Sequence, residues 1–223
     1  MIDIQCISKN YTSGRGRVPA LQGVSFTVES GQGVILAGKS GSGKTTLLNC
    51  IGTLEGPDSG RIICRGRDLC SLSPRQRTLF RRREVGFVFQ SGNLLPWLTV
   101  DENLQLPLEF NGIRGKTQRR RIGQLLEGFG LSGYGRAMPA ELSGGEAQRI
   151  AFARAIAHQP ALLLADEPTA SLDSANGRQL IELMFSLCGS GRTTLIMATH
   201  DQELLAMARI IIPLKDGQMT NNS

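Results

Sequence analysis

The sequence predicts an α/β fold: a mainly parallel sheet covered by helices, with the helices of the middle third forming a lobe outside it. Three observations predict this. The last third alternates apolar strand candidates with helices. A short continuous apolar run, Val34-Ile35-Leu36-Ala37, fits a strand buried on both faces and leads into a glycine-rich turn and a helix. The stretch between is dominated by capped helices.

Taken in order, Ile2, Ile4 and Cys6 alternate with polar residues, as do Val24, Phe26 and Val28, and each set suggests a half-buried strand. The glycine-rich turn from Gly38 to Thr45 is followed by a helix from Lys44 to about Ile51. Asp58-Ser59-Gly60 reads as a turn before a strand from Arg61 to Cys64. Ser73-Pro74 is an N-cap with proline at the first helical position, opening a basic helix to Arg83. A strand from Val85 to Phe89 follows. Thr99 with Glu102 makes a capping box for a helix to about Phe110, and a further helix spans Lys116 to Phe129. Ser143 with Glu146 caps a helix to about Ala157, which Pro160 stops. Buried strands are expected from Ala161 to Ala165, Thr194 to Thr199 and Arg209 to Leu214, with helices near Asn176 to Leu187 and Asp201 to Ala208.

Composition narrows the class. With 40 % hydrophobic and 20 % charged residues in 223, the chain has a folding composition, so disorder is a poor reading. Apolar runs fall far short of the ~20 residues of a bilayer-spanning helix, and Met1-Ile2-Asp3-Ile4-Gln5-Cys6 carries no signal-peptide pattern. A soluble, cytoplasmic protein is expected. Cys6, Cys50, Cys64, Cys70 and Cys188 form no ligand spacing and read as reduced thiols, Cys50 and Cys188 as core filler. The net charge of +6 is clustered in Arg75, Arg77, Arg81, Arg82 and Arg83, and in Arg114, Lys116, Arg119, Arg120 and Arg121. Such clusters suit nucleic acid, an anionic surface or a solvated helix face. Aromatics are 5 % of the chain and not interleaved with the arginines, so a single-strand stacking platform is missing.

The chemistry lies in four places. Gly38-Lys39-Ser40-Gly41-Ser42-Gly43-Lys44-Thr45 matches G-x-x-x-x-G-K-[ST] between a buried strand and a helix. Glycines let the backbone close around phosphate oxygens, and successive N–H groups with the helix dipole favour negative charge. Lys44 would reach the β- and γ-phosphates and the Thr45 hydroxyl would bind Mg²⁺. Asp166 and Glu167 end an apolar strand, where α/β sheets place their ligands. Asp166 fits a hold on Mg²⁺ and Glu167 a general base, with a helix cap as the plainer alternative. Ser143-Gly144-Gly145 caps a helix and offers a second anion-seeking helix end. His200 follows a strand, a place where histidine is more often structural, and Gln90 alone carries little; His158 reads as structural.

These elements in this order resemble the nucleotide-binding subunits of ABC transporters over essentially the whole chain. The run from Gly38 to Thr45 resembles Walker A, Gln90 the Q-loop, Leu142 to Glu146 the signature and Leu162 to Glu167 Walker B. Ser171-Leu172-Asp173 resembles the D-loop, His200 the switch histidine and Tyr11 the aromatic residue that stacks on adenine. The resemblance implies a single domain, 1–223. Its P-loop NTPase core would have a mainly parallel sheet, an antiparallel β subdomain and an inserted helical subdomain at about 91–157. It implies ATP and Mg²⁺ as cofactors, with Lys39, Ser40 and Thr46 in the nucleotide site and Thr45, Gln90 and Asp166 at the metal. It also implies a head-to-tail homodimer in which Ser143, Gly144 and Gly145 serve the partner's nucleotide. Gln90 would sense the metal and the attacking water, His200 would contact the γ-phosphate, and Asp173 would communicate across the dimer.

A finer resemblance, to the lipoprotein-releasing and macrolide-exporting subfamily, rests on Val85 to Gln90, Asn93-Leu94-Leu95-Pro96, Leu98-Thr99-Val100, Glu102-Asn103 and Leu164 to Thr169. Ala170-Ser171 departs from that subfamily's usual Gly-Asn, and Thr45-Thr46 from its frequent Ser-Thr. The function implied is an ATPase that powers integral membrane permease subunits from the cytoplasmic face of the inner membrane, exporting or extracting lipoproteins or small molecules. The stretch from Gln90 to Phe110, with exposed-looking Leu94, Leu95 and Trp97, would dock that partner; ordinary packing of the helical lobe is the alternative for Trp97. Two other functions are weighed: force transmission to an extracytoplasmic regulator without transport, and a soluble ATPase on nucleic acid or ribosomes. The second would call for paired cassettes or long insertions that this chain lacks, and no nucleic acid is expected.

Overall fold

The computed structural model describes residues 1–14, 16–170, 172–188 and 193–220. The amino-terminal half begins with a long antiparallel pair, β1 (Ile2–Ser13) and β2 (Gly16–Val28), which β4 (Ser59–Cys64) and the short β5 (Arg67–Asp68) extend into a four-stranded sheet of order β2-β1-β4-β5. Between them, β3 (Gly33–Ala37) and α1 (Lys44–Ile51) belong to the second layer. That layer is a six-stranded sheet of order β10-β9-β3-β8-β7-β6, built with β6 (Val85–Val88), β7 (Leu162–Asp166), β8 (Thr194–Thr199), β9 (Ile211–Lys215) and β10 (Gln218–Met219). Its strands run parallel except β10.

The helices cover this sheet and build the lobe beside it: α2 (Pro74–Glu84), α3 (Val100–Phe110), α4 (Gly115–Gly128), α5 (Gly144–Ile156), α6 (Ser174–Cys188) and α7 (Gln202–Met207), with 3₁₀ turns at Tyr134–Arg136 and Pro139–Glu141. The capping boxes predicted at Thr99 and Ser143 for α3 and α5 are formed, and the N-cap predicted at Ser73 for α2 proves to be a capping box as well, with Gln76. The reciprocal pairs satisfy N–H groups that a helix start otherwise leaves open.

Strands that read as continuous apolar runs divide their side chains between two cores. Val34, Leu36, Leu162, Leu164, Ile196 and Ala198 pack with α1 and the antiparallel sheet. Ile35, Leu163, Ala165, Leu195 and Met197 pack with α3, α4, α5 and α6. The period of two along each strand does this sorting. Phe152, fully buried on α5, meets Phe129 edge-on at 5.2 Å in the lobe-side core.

Three expectations are corrected. Cys6 is exposed, not buried: its φ of 49° and a register slip between Ile4 and Ile7 form a bulge, and Ile7 takes the inward place. The strand near Arg209 to Leu214 is not buried throughout, since Ile211 and Lys215 are exposed and burial alternates along β9. The arginine clusters are not purely solvated faces. Arg77 donates to the carbonyls of Leu72 and Cys70, and Arg81 to that of Thr53. Arg121 caps the end of α5 through the carbonyls of Ala157 and Ile156.

The chain between β6 and α3 is fixed by one buried side chain. Asn103, fully buried on α3, accepts from the Leu95 N–H at 2.9 Å and donates to the carbonyls of Leu95, Leu98 and Thr99. This holds Trp97 outside, 70 % exposed. Leu94, expected on the surface, is half-buried against the lobe-side core. Replacing Asn103 with Ala strands several buried polar groups, so Asn103→Ala is expected to lose about 2–3 kcal/mol in urea unfolding and to speed amide exchange across 95–99.

Candidate functional site

Parallel register brings the chemistry together. Ala37 of β3 pairs with Thr199 of β8, and Ala198 of β8 pairs with Asp166 of β7. The three central strands therefore end almost level, and the residues that follow them, Gly38, His200 and Glu167, meet at one carboxyl-end crevice. A cavity of about 510 Å³ opens beside it, lined by Gly38, Lys39, Ser40, Gly41, Ser42 and His200 among others.

The loop from β3 to α1 is shaped by close approach. A Cβ on residue 38 would lie 2.3 Å from the Leu214 carbonyl oxygen, so only glycine passes there. Gly43 has a φ of 100° and lies against the Ala20 carbonyl, which fixes the start of α1. No side chain caps that helix, leaving its first N–H groups facing the loop. Ser42 is buried and its hydroxyl has no hydrogen-bond partner.

Lys44 is buried, with 6 % of its side chain exposed. Its ammonium donates to the carbonyls of Gly38 at 2.6 Å and Lys39 at 3.2 Å and lies 3.5 Å from Glu167 Oε1. The same carboxylate oxygen accepts from His200 Nδ1 at 2.9 Å. A carboxylate can only accept, so the His200 proton at this contact sits on Nδ1. Glu167 has a φ of 45°, left-handed for a residue with a side chain, at a cost of about 1–2 kcal/mol. Its N–H bonds the Ala198 carbonyl, which holds that geometry. Strained backbone of this kind gathers at functional sites.

Burial pushes the Asp166 carboxyl up, opposed by the Thr45 hydroxyl beside it, with Glu167 raising it further and Lys44 lowering it. Its Oδ1 is buried with no hydrogen-bond partner. An orphaned carboxylate oxygen next to a hydroxyl fits a hard divalent cation. Among the described residues no three His, Cys, Asp or Glu side chains could hold a metal alone, so such a cation would need further oxygens from a ligand.

Other residues are placed around this centre. Tyr11 on β1 is 40 % exposed, donates to Glu55 at 2.6 Å and has its hydroxyl 3.4 Å from that of Thr46 on α1, so its ring flanks the loop. Gln90, exposed after β6, has no hydrogen bond to Lys44, Glu167 or His200. Ser143, Gly144 and Gly145 open α5, and no hydrogen bond joins them to the 38–45 loop of the same chain. Asp173 accepts from the Asn176 backbone and side chain and so caps α6. Ser171 lies outside the described residues. His158 is largely buried and its pKa is lowered by burial, as befits a structural histidine.

Residues passed over in the sequence tie these parts together. From α5, Gln148 donates to the Phe89 carbonyl at 3.2 Å, and Arg154 to those of Asn93 at 2.8 Å and Gly92 at 3.1 Å. The segment that carries Gln90 is thereby bolted to the helix that Ser143 begins. Polar residues within the apolar face of α5 were the available signal.

Comparison with known proteins identifies the family. The family model described as ABC transporter matches residues 21–170. The chain is 42 % identical over 219 residues to the macrolide export ATP-binding/permease protein MacB of Syntrophobacter fumaroxidans, covering 97 % of this chain and 31 % of that protein. It is 40 % identical over 219 residues to the lipoprotein-releasing system ATP-binding protein LolD 2 of Caulobacter vibrioides, covering 98 % and 96 %. The chain thus spans about a third of the MacB relative and nearly all of the LolD one. The dimeric post-hydrolysis structure of the ATP-binding cassette MJ0796, bound to ADP and Pi, superimposes with a TM-score of 0.93 at 36 % identity, covering 100 % of this chain and 98 % of that one. With its glycine loop, Lys44 and paired carboxylates at one crevice, the chain belongs to the ABC transporter family, as an ATP-binding and ATP-hydrolysing cassette.

Proposed function

We propose that two copies of this cassette close head-to-tail around two ATP molecules and power a separate membrane permease. The observation that carries the reading is the separation of two anion-seeking sites. The 38–45 loop converges with Glu167 and His200, while Ser143, Gly144 and Gly145 present a second helix start, capped by Glu146, that no hydrogen bond among the described residues joins to that loop. A second copy supplies the missing half. In this reading 1–223 is one nucleotide-binding domain, with the helical insert at about 91–157.

The residues then divide the work. Gly38, Lys39, Ser40, Gly41, Ser42 and Gly43 cradle the phosphates, Tyr11 stacks on the base, and Thr46 supports both. Thr45, Gln90 and Asp166 would hold Mg²⁺, which neutralises phosphate charge when bound. Lys44, donating at present to the Gly38 and Lys39 carbonyls, exchanges them for β- and γ-phosphate oxygens. Glu167, released from Lys44, takes a proton from the water whose oxygen bonds the γ-phosphorus as the bond to ADP breaks. His200 turns to the γ-phosphate, and Asp173 carries its state across the dimer. In the empty cassette Lys44 and His200 both hold the same Glu167 oxygen, so ATP must displace these contacts before that oxygen can meet a water.

No helix among the described residues is long and apolar enough to cross a membrane; in this reading the permease supplies the span. Trp97, held out by the Asn103 framework, supports docking at the 90–110 stretch from the cytoplasmic face. The MacB and LolD likenesses favour an exporter or a lipoprotein extractor as the whole machine.

Glu167→Gln is expected to retain ATP binding, lower turnover by about 10²–10⁴-fold and accumulate an ATP-dependent dimer in light scattering. Unchanged turnover would remove Glu167 from the base role. Trp97→Asp changes an exposed residue and is expected to leave intrinsic ATPase activity within about twofold while losing the integral membrane protein that co-purifies with the tagged cassette. Recovery of ribosomes or DNA that survives nuclease and high salt would overturn the transport reading.

A further inference from the structure

We propose that Glu146, clamped by Tyr134, sets the ATP concentration at which two cassettes close, by claiming the only hydroxyl proton of Ser143. The inference rests on the composite-site reading, in which Ser143 meets the partner's nucleotide.

Both carboxylate oxygens of Glu146 are occupied. Oε1 accepts from the Tyr134 hydroxyl at 2.6 Å. Oε2 accepts from the Ser143 N–H at 2.8 Å and the Ser143 hydroxyl at 2.7 Å. These bonds hold the carboxyl far below the usual range, at about 2, with Tyr134 the largest contributor, so it is charged at any working pH. Two consequences follow for an incoming phosphate. The Ser143 hydroxyl has one proton, and while that proton is given to Glu146 the oxygen offers a phosphate only lone pairs. The fixed negative charge in the first turn of α5 also offsets the positive helix end. Closure therefore requires Ser143 to turn its proton from carboxylate to phosphate, against both effects.

Tyr134 moderates this. By donating to Oε1 it draws charge to the far side of the carboxylate and leaves Oε2 a weaker acceptor. The tyrosine is fixed from outside the signature. Its turn is joined to the start of α3 by the bond from the Val100 N–H to the Ala137 carbonyl at 2.9 Å. Gly135 lies so close to Asp101 that a Cβ would stand 2.6 Å from its carboxylate oxygens. The segment that follows the Trp97 loop thus places the hydroxyl that governs Glu146. Tyr134 and Glu146 are positioning residues acting through Ser143.

The test uses the whole cassette carrying Glu167→Gln, in which ATP-driven dimer formation is followed by light scattering across ATP concentrations. Gln at 146 keeps the capping box and Phe at 134 keeps the ring, so both variants retain the local fold. Adding Glu146→Gln is expected to lower the half-point for dimerisation by about 3- to 10-fold, a direction that mere structural damage would not give. Adding Tyr134→Phe instead is expected to raise it by about 2- to 3-fold, and to have no effect once Glu146→Gln is present. A Glu167→Gln cassette that never dimerises with ATP overturns the composite-site reading itself. Normal dimerisation with a half-point that Glu146→Gln leaves unmoved or raises overturns this inference alone. A Tyr134→Phe shift of equal size with and without Glu146→Gln overturns the action of the tyrosine through Glu146.

Discussion

Lys44 carries a positive charge into a place where almost none of its side chain meets water, and the carboxyl edge of the sheet is organised around that charge. A buried ammonium without partners is costly, so its three donors must be met by the Gly38 and Lys39 carbonyls and by Glu167. Those partners arrive only because β3, β8 and β7 end level. Glu167 reaches the ammonium from a left-handed backbone, and His200 bonds the same oxygen. A ligand that enters must offer Lys44 something better than this arrangement, which selects for dense negative charge.

The second organising element is α5. Its first turn is the Ser143–Glu146 capping box, its middle sends Gln148 to the Phe89 carbonyl, Arg154 holds Gly92 and Asn93, and its last carbonyls are closed by Arg121. One rigid rod therefore fixes the helix end at Ser143, the strand end at Gln90 and the framework behind Trp97. The interior around Phe152, which meets Phe129 edge-on, packs this rod against the lobe-side core. The glycines act locally by comparison. Gly38 exists because the Leu214 carbonyl comes too close for any Cβ, and Gly43 because α1 must begin from a left-handed residue.

By itself the sequence determined whatever depends on neighbours a few residues apart. The phosphate loop between Ala37 and Lys44, the capping boxes at Thr99 and Ser143, the proline-started α2 and the apolar strands are local patterns with local causes, and each formed where its residues lie. Only the tertiary structure decided what depends on strands meeting. It sorted Ile35 and Leu36 into different cores, turned Cys6 outward through a bulge that Ile7 repairs, and drew Arg77, Arg81 and Arg121 from apparent surface clusters onto backbone carbonyls. It also placed Lys44 against Glu167, 123 positions later in the chain, and Tyr134 against Glu146. A lone tyrosine or a buried lysine has no periodicity to announce its partner. That partner is fixed by register and packing between elements distant in sequence, where long-range burial decides which polar groups must be paired.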